Sequence, residues 1–167
     1  MMLEFKIYLT NLGKYNEGEL VGKWVELPCS DLAAEFAAIG VVPGTPYEES
    51  FITDYENNIS YDVREFESVE ALNELAEELQ EVSDRGELEM LAAYLESEGG
   101  SLRDALDNYE NAIFYSGMEL EDVAREIVEE CYDLPEMALR YFDYNAFARD
   151  LRCEGYNETS YGVIYAQ

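Results

Sequence analysis

Residues 68–84 read SVEALNELAEELQEVSD, and this stretch decides half of the fold. Val69, Leu72, Leu75, Leu79 and Val82 recur at the three- and four-residue spacing of an amphipathic helix, and Ser68 stands where an N-cap hydroxyl takes a free amide. Glu70, Glu74, Glu77, Glu78 and Glu81 fall on the other side, within an arc of about 100° at roughly 100° per residue. Residues 3–10, LEFKIYLT, decide the other half. Leu3, Phe5, Ile7 and Leu9 alternate with Glu4, Lys6, Tyr8 and Thr10, the period-two pattern of a half-buried strand. A chain that holds both patterns is α+β.

Working outward from these stretches gives three consecutive regions. Residues 1–63 read as β-rich: the strand at 3–10, a turn marked by Asn11, Gly13, Asn16 and Gly18, a strand over Leu20–Leu27 and another over Ser50–Tyr55. A short helix between them has Ser30 as its cap, Leu32, Phe36 and Ile39 on one side, and Gly40 as its stop. Residues 64–107 read as helical. After the helix above, Asp84-Arg85-Gly86 breaks the pattern. Leu88, Leu91, Ala92 and Leu95 then mark a second helix ending at Gly99-Gly100, and Ser101 with Asp104 signals a third. Residues 108–167 read as mixed. A strand over Ala112–Tyr115 precedes a helix carrying Leu120, Val123, Ile127 and Cys131. Pro135 suits the first turn of another helix, Asp143 caps a last one, and Gly162–Ala166 reads as a closing strand.

The composition narrows the chemistry. The 167 residues carry 38 acids, 10 bases and no histidine, a net charge of −28. Disorder becomes possible at such a charge, but 48% hydrophobic residues, with 14 Tyr and 7 Phe, indicate a folded chain. Without histidine there is no Ser-His or Cys-His pair and no imidazole metal ligand. Binding to DNA, RNA or an anionic membrane needs clustered Lys and Arg, which are missing. The expected partner is a basic surface or a cation. Cys29, Cys131 and Cys153 are odd in number and widely spaced, which reads as reduced, buried thiols of a cytosolic protein. No apolar run reaches transmembrane length and no signal-peptide pattern opens the chain.

Familiar motifs fail on inspection. An EF-hand frame starting at Asp150 puts Arg152 and Tyr161 where acidic ligands belong. A P-loop frame on Gly13 and Gly18 puts Glu19 where a Lys should hold phosphate. Two carboxylates can run a glycosidase, but among 38 acids no pair stands out. No catalytic residue, metal site or cofactor is expected.

The acidic stripe of 70–81 does stand out. Its like-charge pairs at three- and four-residue spacing each cost roughly 0.2–0.5 kcal/mol, and no Lys or Arg lies between Arg64 and Arg85 to relieve them. Five carboxylates along about 16.5 Å give one per roughly 4 Å, close to the roughly 3.4 Å of axis per phosphate on one DNA strand. The imbalance continues along the chain. The expected target-facing carboxylates are Glu65, Glu67, Glu70, Glu74, Glu77, Glu78, Glu81, Asp84, Glu87, Glu89, Glu96, Glu98, Asp104, Asp107, Glu119, Glu121, Asp122, Glu126, Glu129 and Glu130. Spacing and charge thus suggest a folded polyanion that imitates nucleic acid. The competing reading is an acidic chaperone or inhibitor of another basic DNA-binding protein. Third stands an acidic enzyme without a visible site.

The run Asn11-Leu12-Gly13-Lys14-Tyr15-Asn16-Glu17-Gly18-Glu19-Leu20-Val21-Gly22, followed by Trp24, closely resembles the opening of the ArdA antirestriction proteins. Ser68-Val69-Glu70-Ala71-Leu72-Asn73 resembles the start of that family's helical middle. Asp122-Val123-Ala124-Arg125, Tyr141-Phe142-Asp143-Tyr144 and Arg149-Asp150-Leu151 are similar to its C-terminal third. The resemblance implies an elongated, three-part α+β protein, cytoplasmic in a host bacterium, that dimerises through its C-terminal third. It further implies that the dimer mimics B-DNA, fills the DNA-binding groove of type I restriction–modification enzymes, and protects incoming mobile DNA without catalysis. Two chains this acidic repel each other, so a dimer needs apolar contact. Ile113, Phe114 and Tyr115 on a strand, with Val123, Ile127 and Val128 on a helix, are the residues expected to supply it.

Overall fold

The structure, a computed structural model, describes residues 1–166. It is α+β, and the chain divides into two compact units, Met1–Leu88 and the residues from Glu89 onward.

The first unit is built on a three-stranded antiparallel sheet. β1 (Phe5–Asn11) lies in the middle, flanked by β2 (Gly22–Glu26) and β3 (Ser50–Asn57). The alternation is realised over Phe5–Leu9: Phe5, Ile7 and Leu9 are buried, while Lys6 and Tyr8 on the other face keep partial exposure; Thr10 departs from it and is buried. Register pairs Tyr8 with Trp24 across one seam and with Asp54 across the other. Gly22 is required where β2 meets β1, because a Cβ there would sit 2.6 Å from the Tyr8 ring and 2.8 Å from the Leu9 carbonyl oxygen. The turn after β1 contains a helix the sequence reading missed, α1 (Leu12–Asn16). Asn11 makes it: its buried side chain accepts from Lys14 N at 2.9 Å and donates to the Ile39 carbonyl at 3.2 Å. Two expectations here need correction. Leu20 lies outside β2 and is 84% exposed. The cap of α2 (Leu32–Ala38) is Asp31, not Ser30, because the Asp31 carboxylate takes the Ala34 amide at 2.9 Å.

The quoted helix forms as read. α3 (Val69–Asp84) has Ser68 as N-cap, accepting from Ala71 N at 3.2 Å. Val69, Leu72, Leu75, Ala76, Leu79 and Val82 are buried. Two polar side chains on α3 tie it to the rest of the unit: Asn73 accepts from Cys29 N at 2.6 Å and Ser83 from Leu3 N at 3.1 Å.

The second unit begins within α4 (Leu88–Glu98) and continues through α5 (Leu102–Asn108), β4 (Ile113–Ser116), α6 (Leu120–Cys131), α7 (Glu136–Arg140), α8 (Tyr144–Cys153), β5 (Tyr156–Thr159) and β6 (Gly162–Tyr165). Ser101 and Asp143 cap α5 and α8 as read, and Pro135 stands at the N-cap of α7. The sequence reading missed β5. The sheet order is β4-β6-β5, all antiparallel. Consecutive strand residues point to opposite faces, and β6 uses both. Val163 joins Leu120, Val123, Ala124, Ala148 and Leu151 from α6 and α8, while Ile164 joins Ala93 of α4 and Ala112. Gly162 sits at φ 139°, where any Cβ would strike the Tyr115 carbonyl oxygen at 2.2 Å.

The cysteine expectation is corrected in part. All three are free thiols, but Cys131 and Cys153 are exposed and Cys29 is half-buried. Cys131 and Cys153 are the last residues of α6 and α8, beyond Val128 and Leu151 where the buried rows end.

Candidate functional site

None of the twenty carboxylates singled out in the sequence is buried; fourteen are exposed and six half-buried. The structure gathers nine of them into two rows, one in each unit. On α3, Glu70, Glu74, Glu77 and Glu81 are exposed and Glu78 half-buried, opposite the buried apolar row. Glu70 accepts from Ser68 Oγ at 2.9 Å and Glu77 from Asn73 Nδ2 at 3.2 Å, so both are steadied by neutral donors and not by a base. The helix has no base in its last turn, where Glu81 and Asp84 oppose the negative end of the helix dipole. On α6, Asp122, Glu126, Glu129 and Glu130 occupy an arc of about 100° over roughly 12 Å, again away from buried Leu120, Ala124 and Val128.

Seven of the ten bases pair with carboxylates outside the rows. Lys6 pairs with Glu56 at 2.8 Å, Lys14 with Glu19 at 3.1 Å, and Lys23 with Glu35. Arg85 pairs with Glu87 at 2.7 Å, Arg125 with Glu121 at 3.7 Å, Arg140 with Glu136 at 3.8 Å, and Arg152 with Glu158. Arg125 could have neutralised the α6 row. It lines the same shallow depression as the row, but its partners are Glu121 and the Tyr144 ring, 4.3 Å from its centroid. Exposed pairs of this kind contribute about 0–1 kcal/mol each, so their main consequence is where they leave the charge uncancelled.

The other predicted carboxylates are not gathered. Glu67 accepts from the Tyr61 hydroxyl at 2.6 Å and Arg64 N at 3.0 Å. Asp84 accepts from Gln80 at 2.8 Å, Glu98 from Ser97 at 2.8 Å and Asp104 from Ser101 at 2.6 Å. Glu89 accepts from Ser116 at 3.2 Å, and Glu96 from the Ser160 amide at 3.0 Å. These hold local structure. Glu65, Asp107 and Glu119 are exposed outside the two rows. Burial and the bond to Glu67 push the Tyr61 hydroxyl up to about 12.

The six apolar residues expected at a self-contact separate into two groups. Val123 and Val128 are 0% and 1% exposed and belong to the interior of their unit. Ile113 is 44% exposed, and Phe114, Tyr115 and Ile127 are half-buried against the clusters around Ile164 and Val163. β4 is an edge strand of its sheet.

Sequence reasoning missed an exposed apolar group in the first unit: Tyr15, Leu20 and Phe66 at 47%, 84% and 70% exposure. The signal was available in Glu65-Phe66-Glu67, a bulky apolar residue between acids in a stretch with no helical or strand period; Leu20 was hidden by its place at the head of an expected strand. Among the described residues no three His, Cys, Asp or Glu side chains converge as a metal site, and no helix is long and apolar enough to cross a membrane.

No curated protein matches the chain. The model of one family, described as antirestriction protein (ArdA), matches residues 7–165, nearly the whole sequence and both units with their carboxylate rows. The chain belongs to the ArdA family of antirestriction proteins.

Proposed function

We propose that this antirestriction protein works as a DNA mimic, presenting its carboxylate rows to the DNA-binding groove of a type I restriction–modification enzyme. The observation that carries the reading is the segregation of charge. Lys6, Lys14, Lys23, Arg85, Arg125, Arg140 and Arg152 pair with glutamates outside the rows, while Glu70, Glu74, Glu77 and Glu81 on α3 meet no Lys or Arg among the described residues. A solvated helix face under selection for stability alone would interleave bases. Fixed carboxylates meeting the Lys and Arg that hold phosphates gain Coulomb attraction and steer association. DNA is then excluded by occupancy, and no bond is made or broken.

The mimic acts in the cytoplasm as a homodimer. Exposed Ile113 and the edge of β4, with Phe114, Tyr115 and Ile127 behind it, form the contact, and Val123 and Val128 support it from inside. Purified protein added to a type I enzyme should block ATP-dependent cleavage at near-stoichiometric ratio. The block should weaken as salt rises, since the Debye length falls from about 10 Å at 0.1 M to about 3 Å at 1 M. Inhibition that is flat across that range would overturn mimicry.

A further inference from the structure

The partly exposed face of the first unit's sheet holds a groove of about 620 Å³ that the carboxylate rows do not use. Tyr8 and Thr10 of β1 form its floor, and Thr10 and Thr53 join hydroxyls across it at 2.9 Å. Phe51, Leu20 and Val63 supply apolar walls. Tyr15 and Phe66 extend this surface by packing on Phe51, with ring centroids 5.2 and 5.9 Å away. Water covers Leu20 and Phe66 at 84% and 70% exposure, and contiguous apolar surface of this kind marks a contact site on a soluble protein.

The charge around the groove selects its occupant. Glu65 is the one charged residue lining it, and no Lys or Arg does so among the described residues. Asp62 holds the hydroxyl of lining Tyr55 at 3.1 Å, and Asp54 stands opposite Tyr8 in the sheet. A second copy of this chain already has its contact at the β4 edge, and here it would set its own excess of acids against Glu65, Asp62 and Asp54. Nucleic acid and anionic lipid are repelled for the same reason. An apolar floor with an acidic rim fits a protein segment that carries an aliphatic or aromatic anchor flanked by Lys or Arg. Aromatic rings also receive the cations themselves.

We infer that this groove is a second contact with the target enzyme, seating an apolar anchor of that enzyme flanked by Lys or Arg; it rests on the mimicry reading above. The two contacts differ in physics. Ion pairing is screened by salt, whereas apolar burial is not. The groove therefore supplies the part of affinity that survives high salt.

The test titrates purified type I restriction–modification enzyme, free of DNA, with wild type and three variants of the protein at salt from about 0.05 to about 0.5 M, which brackets the screening range. Leu20→Ser with Phe66→Ser should lower affinity by roughly tenfold at every salt, leaving the slope against log salt unchanged. Leu20→Ser alone, which has almost no packing to lose, should give part of that loss, and thermal melting checks that both variants stay folded. Conversion of Glu70, Glu74, Glu77, Glu78 and Glu81 to Gln should instead flatten the slope. A double variant that binds like wild type, beside a flattened slope in the Gln variant, overturns the groove and leaves mimicry standing. An unchanged slope in the Gln variant with a weakened double variant overturns mimicry by α3 and leaves the groove. Wild type that does not bind overturns both.

Discussion

Two three-stranded antiparallel sheets, one in each unit, are put to different uses. β1 is central in the first and buries alternate residues, leaving Lys6 and Tyr8 on a face that water reaches. β6 is central in the second and is buried through Gly162, Val163 and Ile164, because helices cover both faces. A central strand with one dry face reads as alternation, and one with two dry faces reads as a short apolar run. The wet face leaves room for recognition in the first sheet. In the second, recognition is left to the helices laid over the sheet and to its edges. The carboxylate rows follow this division: each lies on the outer side of a helix whose inner side is core.

The sharpest break of the comparison is a truncation at each central strand. Ile164→Ala opens a cavity in a site closed on both sides and should cost about 2–5 kcal/mol. Tyr8→Ala removes a ring that is partly wet already and should cost about 1–2 kcal/mol, mostly its edge-to-face contact with Trp24 at 5.4 Å. Urea unfolding followed by circular dichroism measures both. Equal costs would mean that the first sheet is as enclosed as the second.

The next comparison sets row against row. Converting the five α3 glutamates to Gln, or Asp122→Asn with Glu126, Glu129 and Glu130 to Gln on α6, should each weaken inhibition of the type I enzyme at least tenfold if each residue contributes a few tenths of a kcal/mol. Neither set should lower the melting temperature. Loss confined to one row would show that a single unit carries the contact.

Much of this was legible from spacing. Spacing gives α3 from its cap to its end, since a 16-residue amphipathic period outweighs local accidents. That none of the twenty carboxylates is buried also follows, because burying a charge without a partner is prohibitive. The failures have local causes. α1 hides in a turn-rich stretch because Asn11 caps it while Gly13 and Asn16 advertise a loop. β5, Tyr156–Thr159, shows no apolar row because it is an edge strand whose neighbour is β6 alone. Val123 and Val128 read as a surface contact because sequence alone cannot tell which partner an apolar face meets; Val123 is covered by Ala148 and Leu151 of α8 and Val163 of β6, which come far later in the chain. The grouping of the twenty acids into two rows and a scattered remainder needed the hydrogen-bond partners, which spacing does not disclose.

A smaller effect distinguishes acids that hold structure from acids that face outward. Glu67 binds Tyr61, whose hydroxyl is held up at about 12 by burial first and by this bond second. A tyrosine whose folded value exceeds its unfolded one near 10 favours the fold while neutral. That contribution is whole below about pH 10 and disappears as pH climbs toward 12. Tyr61→Phe should cost about 1 kcal/mol at neutral pH and flatten the loss of stability between those limits. Unfolding at pH 8, 10 and 11.5, roughly below, at and above the unfolded value, checks it. An unaltered alkaline profile would mean that Tyr61 titrates in the folded state as it does in the unfolded one.

The smallest effect has the opposite sign and applies to both rows alike. Glu74 lies three or four residues from Glu70, Glu77 and Glu78 on α3; Glu126 lies equally near Asp122, Glu129 and Glu130 on α6. Each has three like-charged neighbours, and each such pair costs roughly 0.2–0.5 kcal/mol on an exposed helix. Glu74→Gln and Glu126→Gln keep side-chain length and helix propensity while removing the repulsion. Both should therefore raise stability, by about 0.5 kcal/mol or somewhat more at low salt. The gain should shrink toward zero near 1 M salt, where screening already suppresses the repulsion. Inhibition should barely change, because one charge among 28 is removed. Urea midpoints at two salt concentrations measure the first effect and a cleavage assay the second. A stability gain without a loss of inhibition is the signature of a row kept for its summed field rather than for any one carboxylate. A stability loss at either position would instead reveal an attractive contact there and remove that residue from its row.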